Sequence, residues 1–152
     1  MDLLEIFENF DTVPAFPAFN MIIKCHTKFF EEKLEGTDLN PSELPYIIRI
    51  GENDGELSQK DLSNLFLVSE PVVARTLKNL EKKGFIIRRI DQENKTRRLI
   101  SLSSKGFEIR EKTLHLEEDW HNSLFKVLSE DEKRKFNEIL GILAIESIRN
   151  YY

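Results

Sequence analysis

The residues best suited to chemistry lie between Ser69 and Lys83, in the stretch SEPVVARTLKNLEKK. Read as a helix, one face carries Glu70, Val72, Arg75, Thr76, Lys78, Asn79 and Lys82. Val73, Leu77 and Leu80 recur at i, i+4 and i+7 and form an apolar stripe for burial. The polar face is long-armed, mostly basic and amide-bearing. Such groups donate to phosphate oxygens and pair with base edges in a nucleic-acid groove. Polar faces are common on surface helices, so this reading depends on what flanks it. No catalytic set competes with it. His115 and His121 are six apart and miss the i, i+4 spacing of metal ligands on one helix face. His121 with Glu117 and Glu118 reads as helix surface rather than as a zinc site. No glycine-rich phosphate loop, GxSxG or HExxH is present. The expectation is no enzyme, no metal and no cofactor. Cys25 is the single cysteine, which excludes an internal disulfide. On an otherwise apolar helix it reads as a buried, inert thiol, with a redox role beside His26 as the alternative.

The flanking elements are those that would hold such a helix in place. Ser69 suits an N-cap, Glu70 the positive end of the dipole, and Pro71 a first turn that needs no donor. Gly84 follows the last turn as a left-handed stop, after Lys82 and Lys83 at the negative end. Upstream, Leu57 to Phe66 predicts a short helix capped by Ser58, with Asp61 completing a capping box. Its stripe is Leu62, Leu65 and Phe66. Only Leu67 and Val68 separate the two helices, which makes a helix-turn-helix. Downstream, Phe85 to Ile90 and Arg97 to Leu102 predict two strands around the polar tip DQENKT. Glu56–Leu57 would add a short third strand. Helix, turn, helix and basic hairpin together outline a winged helix.

Charge is distributed accordingly. The net charge is -5, but residues 57–106 hold 11 Lys+Arg against 5 Asp+Glu, or +6. Residues 1–56 hold 4 against 12, and residues 107–152 hold 7 against 10. Attraction to phosphate is screened within ~10 Å at 0.1 M salt, so the local excess outweighs the total. A length of 152 residues suits one domain, and no apolar run approaches the ~20 residues of a membrane span. The acidic start MDLLEIFENFD lacks the basic opening of a signal peptide, so the chain reads as cytoplasmic.

The rest of the chain reads as helix. Residues 2–10 are a turn or two, interrupted by Pro14 and Pro17. A helix then runs from about Ala18 to Glu35, with Phe19, Ile22, Ile23, Phe29, Phe30 and Leu34 as its stripe. Leu39 to Gly51 follows, capped by Asn40, with Pro41 at its first position and Pro45 bending its second turn. Ser103 or Ser104 caps a long helix to about Leu128, and Ser129 caps the last one. Phe7, Phe10, Phe16, Phe19, Phe29 and Phe30 are too many aromatics for one short helix to bury. The final helix is apolar over a wide arc, from Phe136 to Ile148. Both ends therefore call for a partner surface, most economically a two-fold dimer. The fold class is mainly α (α+β). Within one domain, 1–152, a winged helix-turn-helix lobe spans 40–103, and 1–36 and 104–152 are dimerisation helices.

The chain resembles the MarR family of transcription regulators. Leu80-Glu81-x-x-Gly84-Phe85-Ile86-x-Arg88 matches the family's LExxGLVxR, and Leu102-Ser103-x-x-Gly106 its LTxxG. Asn94 and Thr96 stand where the family's wing carries the Asp and Arg of DxR; Lys95, Arg97 and Arg98 are the cations in reach of that role. The resemblance implies a homodimer on double-stranded DNA, at a palindromic operator, with no membrane partner. The helix 69–83 would enter the major groove, and the wing would lie over the minor groove. Arg75 would meet a base edge, with Val72, Thr76 and Asn79 near bases and Ser69 and Glu70 opening the helix. Ser58, Gln59, Lys78, Lys82 and Arg88 would contact phosphate. The resemblance also implies an effector where the flanking helices meet the lobe. His26, Phe29, Tyr46, Arg49 and Arg110 are its candidates, and a small anionic aromatic acid is its expected chemistry. The alternative is a winged helix that pairs with protein and does not read DNA.

Overall fold

The computed structural model describes residues 15–53 and 55–151. In chain order the elements are α1 (Ala15–Lys33), α2 (Leu44–Glu52), β1 (Leu57–Ser58), α3 (Gln59–Phe66), α4 (Glu70–Lys82), β2 (Ile86–Ile90), β3 (Arg98–Leu102), α5 (Ser104–Thr113), α6 (Leu116–Phe125) and α7 (Glu130–Tyr151). Two compact units are present, one ending at Leu116 and one beginning at Glu117. The architecture of the first is the expected winged helix-turn-helix. The expected turns of residues 2–10 lie outside the described residues.

In the first unit, Val73, Leu77 and Leu80 of α4 are fully buried. Around them sit Ile47 and Ile50 of α2, Leu62 of α3, Phe85, Ile86 of β2 and Ile100 of β3, each at most 2% exposed. The strands are antiparallel in the order β1-β3-β2. Ile86 pairs with Leu102 and Ile90 with Arg98, while Leu57 and Ser58 pair with Ile100 and Leu99. The third strand is thus Leu57–Ser58 rather than Glu56–Leu57.

The capping box of α3 is complete. The Ser58 hydroxyl accepts from the Asp61 N–H at 3.3 Å, and Asp61 Oδ2 accepts from the Ser58 N–H at 2.8 Å. Leu65 is not part of the buried stripe; it is exposed, and Ser63 takes the inner position. The Ser63 hydroxyl donates to the Val68 carbonyl at 2.6 Å and closes the turn. Leu67 there adopts the left-handed region, at φ 53, which an L side chain enters at a cost of about 1–2 kcal/mol. Ser69 occupies the N-cap position of α4, but its side chain makes no capping bond. Pro71 removes one N–H such a cap would serve, and the Val72 N–H already bonds the Ser69 carbonyl at 3.0 Å.

Three helix boundaries differ from the expected ones. α1 begins at Ala15 and keeps Pro17 in its first turn, where no donor is needed. α2 begins at Leu44, so Asn40 is not its cap and Pro45, not Pro41, lies in its first turn. Glu43 fixes this start. Its Oε2 accepts from the Asn40 N–H at 2.9 Å and from Lys83 Nζ at 2.6 Å while the residue is 3% exposed. The helix after the wing is not continuous to Leu128, because α5 ends at Thr113. The buried Thr113 hydroxyl donates back to the Ile109 carbonyl at 2.8 Å, a bond that competes with the helix ladder. Ser103 caps α5 by accepting from the Gly106 N–H at 3.0 Å.

In the second unit, Ser129 and Glu132 form a capping box at the start of α7. The Phe125 ring meets Phe136 edge-on at 5.4 Å. α7 buries none of its residues in the single chain.

Candidate nucleic-acid interface

Burial of Val73, Leu77 and Leu80 turns the opposite face of α4 outward. Glu70, Val72, Arg75, Lys78, Asn79 and Lys82 are exposed, and Thr76 is half-buried. Between α4, the start of α3 and the wing runs an open groove of about 570 Å³. Ser58, Gln59, Glu70, Arg88, Asn94, Arg97 and Arg98 line it, so seven of the expected contact residues converge, with Thr96 beside them. Lys78 lines an adjoining groove with Glu81, Arg88 and Arg98. Lys95 is exposed at the wing tip, and Ser69 is exposed at the entry to α4. Lys60 of α3 also lines the first groove and was not foreseen; the stripe reading of 57–66 looked only for apolar positions.

The cations are not equally available. Arg88 Nε lies 3.2 Å from Glu81 Oε2, which orients it along the end of α4. Arg97 is a buttress rather than a tip residue. Its Nη2 donates to Asp61 Oδ2 at 2.8 Å and to the Glu56 carbonyl at 3.3 Å, and Nη1 lies 3.7 Å from Asp91 Oδ2. One guanidinium therefore joins the wing to the capping box of α3. Asn94 and Thr96, at the DxR positions, bond each other within the tip. Asn94 Oδ1 accepts from the Thr96 N–H at 3.1 Å and from its hydroxyl at 2.6 Å. Asp61 and Asp91 are the functional residues missed from sequence. Asp61 was legible as a cap, but its second partner lies 36 positions away and leaves no local signal.

Hydrogen bonds from Ser58, then the Arg97 guanidinium, hold the Asp61 carboxyl down at about 2, below its ordinary 3.8. The folded value is the lower one, so this contribution is complete above about pH 4 and fades as pH falls toward 2.

The five expected effector residues sit in distinct local contacts among the described residues. The His26 ring lies tilted against Phe30 at 4.6 Å, and the Phe30 ring also meets Phe29 edge-on at 5.2 Å. Tyr46 is buried against Phe66 at 4.5 Å. Burial raises its hydroxyl above the usual phenol value, partly offset by a hydrogen bond with Thr76. Arg49 is half in solvent and pairs with Glu52 at 2.9 Å. Arg110 lies over Gly51, where any Cβ would collide with its side chain, and pairs with Glu111 at 2.8 Å. Cys25 is exposed rather than buried, because this part of α1 has no cover within the chain. Among the described residues no His/Cys/Asp/Glu group could hold a metal ion.

Asp61→Asn should cost on the order of 1 kcal/mol and flatten the acid limb of the stability–pH profile, read by thermal melts. Arg97→Ala should loosen the wing but leave α3 capped, visible as amide exchange increased over 86–102 and unchanged over 59–66.

The comparisons with known proteins agree with this geometry. A MarR family model matches residues 37–97. The chain is 29% identical over 118 residues to the HTH-type transcriptional regulator BilQ of Clostridium symbiosum, covering 78% of this chain and 81% of that protein. It is 31% identical to a crystal structure of MarR, at a TM-score of 0.74 over 98% of this chain and 95% of that one. The S. aureus MepR–DNA complex has the same fold, at a TM-score of 0.80 and 24% identity, over 88% of this chain and 98% of that one. A winged helix with a basic outer face and a buttressed hairpin, matched along nearly its whole length, places this chain in the MarR family of transcriptional regulators.

Proposed function

We propose that the chain acts as a cytoplasmic homodimer that binds a palindromic DNA operator and is modulated by a small effector. The observation that carries the DNA reading is the outward face of α4, which presents Arg75, Lys78, Asn79 and Lys82 beside a wing carrying Lys95 and Arg98. MepR, of the same fold, was solved with DNA. Arg75 reaches a base edge, while Ser58, Gln59, Lys78, Lys82 and Arg88 hold phosphates and fix the register. Lys95 and Arg98 serve the wing contact, since Arg97 is committed to Asp61. No helix of the described residues is long and apolar enough to cross a membrane.

The dimer reading rests on apolar surface that the single chain leaves open. Phe16 is 74% exposed, Ile23 61% and Ile142 58%, with Leu143, Ile145 and Ile148 beside it on α7. Side chains of this kind, clustered at both ends of a chain, fit a second copy. The rival reading, a winged helix that pairs with protein, predicts no salt-sensitive affinity for DNA.

For the effector, Arg110 is a better anchor than Arg49. Both pair with a neighbouring glutamate, Arg110 with Glu111 and Arg49 with Glu52, but Arg110 is the more enclosed and its buried Nε has no hydrogen-bond partner. An anionic aromatic acid would act through differential affinity for two spacings of the recognition helices. Calorimetric titration with salicylate should give weaker binding to Arg110→Ala than to wild type; equal affinities would remove Arg110.

Arg75→Ala should cost about 1–3 kcal/mol of DNA affinity and relax base preference at one position, read by selection from a random duplex pool. Lys78→Ala should weaken all duplexes alike and lower the salt slope by about 1. Ile142→Asp should convert the dimer to monomer or unfold it, by light scattering at micromolar concentration, and DNA affinity should fall with it. A wild-type monomer under the same conditions would end the dimer reading.

A further inference from the structure

The outward face of α4 is polar with one interruption. Beyond Pro71 in the first turn, Val72 is the single apolar side chain among its exposed residues, at 41% exposure. A lone exposed valine is ordinary on a protein surface; what matters here is its place, on the face of α4 read as entering the groove, where it can meet an apolar group of a base. Thr76 follows one turn later on the same face. Its hydroxyl donates to the Val72 carbonyl at 3.1 Å. That bond uses its one O–H donor, so toward a ligand Thr76 presents its methyl and no free donor. Val72 and Thr76 thus present adjoining methyl groups between Glu70 and Arg75.

We propose that Val72 and Thr76 form a methyl-lined step that recognises the 5-methyl group of thymine, so that each half-site carries a thymine beside the base read by Arg75. In the major groove the thymine methyl is the one apolar group a base pair presents, and side-chain methyls are its complement. A cytosine or purine at that position would set a polar edge against Val72 and leave it unpaired. The inference rests on the reading of α4 as the major-groove helix.

The test uses the full chain and a duplex selected by it from a random pool. Each thymine of the selected half-site is replaced in turn by deoxyuridine, which removes only the methyl. At one position, next to the base whose preference Arg75→Ala relaxes, wild-type affinity should fall about fourfold. Val72→Ser should bind the thymine and uracil duplexes equally. Sequence-specific binding that is indifferent to every uracil substitution would overturn the proposal and leave the DNA reading intact. A full thymine–uracil difference retained in Val72→Ser would also overturn it, by assigning the methyl contact elsewhere. Absence of any salt-sensitive, sequence-specific binding would remove both readings together.

Discussion

The fold of the first unit depends on the backbone of Phe85. Its N–H bonds the Leu80 carbonyl at 2.9 Å and closes the end of α4, and its carbonyl accepts from the Ser103 N–H at 2.9 Å. Ser103 in turn donates to the Gly84 carbonyl at 2.5 Å and caps α5 through Gly106. Recognition helix, sheet and α5 are therefore tied at one peptide. Two glycines make this joint feasible. Gly84 takes φ 78, and a Cβ on Gly106 would collide with the Phe85 carbonyl oxygen. The two sequence signatures that resemble the family, LEKKGF and LSSKG, are the two halves of this joint. Their spacing reflects a packing constraint on the angle between helix and wing rather than a contact with DNA. The Glu43–Lys83 pair reinforces the same corner from α2. Glu43 is buried and Lys83 partly exposed, so losing Lys83 would strand a buried carboxylate, whereas losing Glu43 would leave an ammonium that can still reach water.

At the far end of the hairpin the constraint is electrostatic. Arg97 bridges Asp61 and Asp91 and so couples the wing to the N-terminus of α3. These groups are partly exposed, so the clamp is worth little as stability. Its value is geometric: a planar guanidinium with three oxygen partners has few orientations, and the strand that carries it inherits them. The neutral Asn94–Thr96 contact holds only the tip. A wing fixed from below by Arg97 leaves the tip without a guanidinium at position 96, so any contact it makes falls to Lys95 or Arg98. Of these two, Lys95 offers a point charge and Arg98 a planar fork, so they differ in what they could offer an anion.

Much of this was legible in the sequence wherever the governing interactions are local. The stripe of α4, the capping box of α3, the left-handed Gly84 and the hairpin depend on residues within a few positions of each other. What was not legible depends on distant partners or on near-equal local choices. Asn40-Pro41 and Leu44-Pro45 both look like helix starts, and Glu43 decides between them by pairing with Lys83, 40 positions away. Leu65 and Ser63 could each have faced inward. The hydroxyl won because the turn leaves the Val68 carbonyl in need of a donor. The break after Thr113 reflects a side chain competing with its own helix. Arg97 was visible as a cation, but its partner Asp61 had already been counted as a cap.

The distribution of charge and of open apolar surface completes the picture. Residues 57–106 carry +6 and residues 1–56 carry -8. A polyanion attracts the first segment and repels the second, so the field orients the protein before any contact forms. The open apolar residues of α7 and of the first half of α1 cannot take part in that encounter, since no group of theirs complements phosphate. Phe16, Ile23 and Ile142 gain only by meeting other apolar atoms. The acidic segment also disfavours sliding the wrong face along DNA. The net charge of -5 therefore says less about what the chain can bind than the +6 gathered on residues 57–106 does.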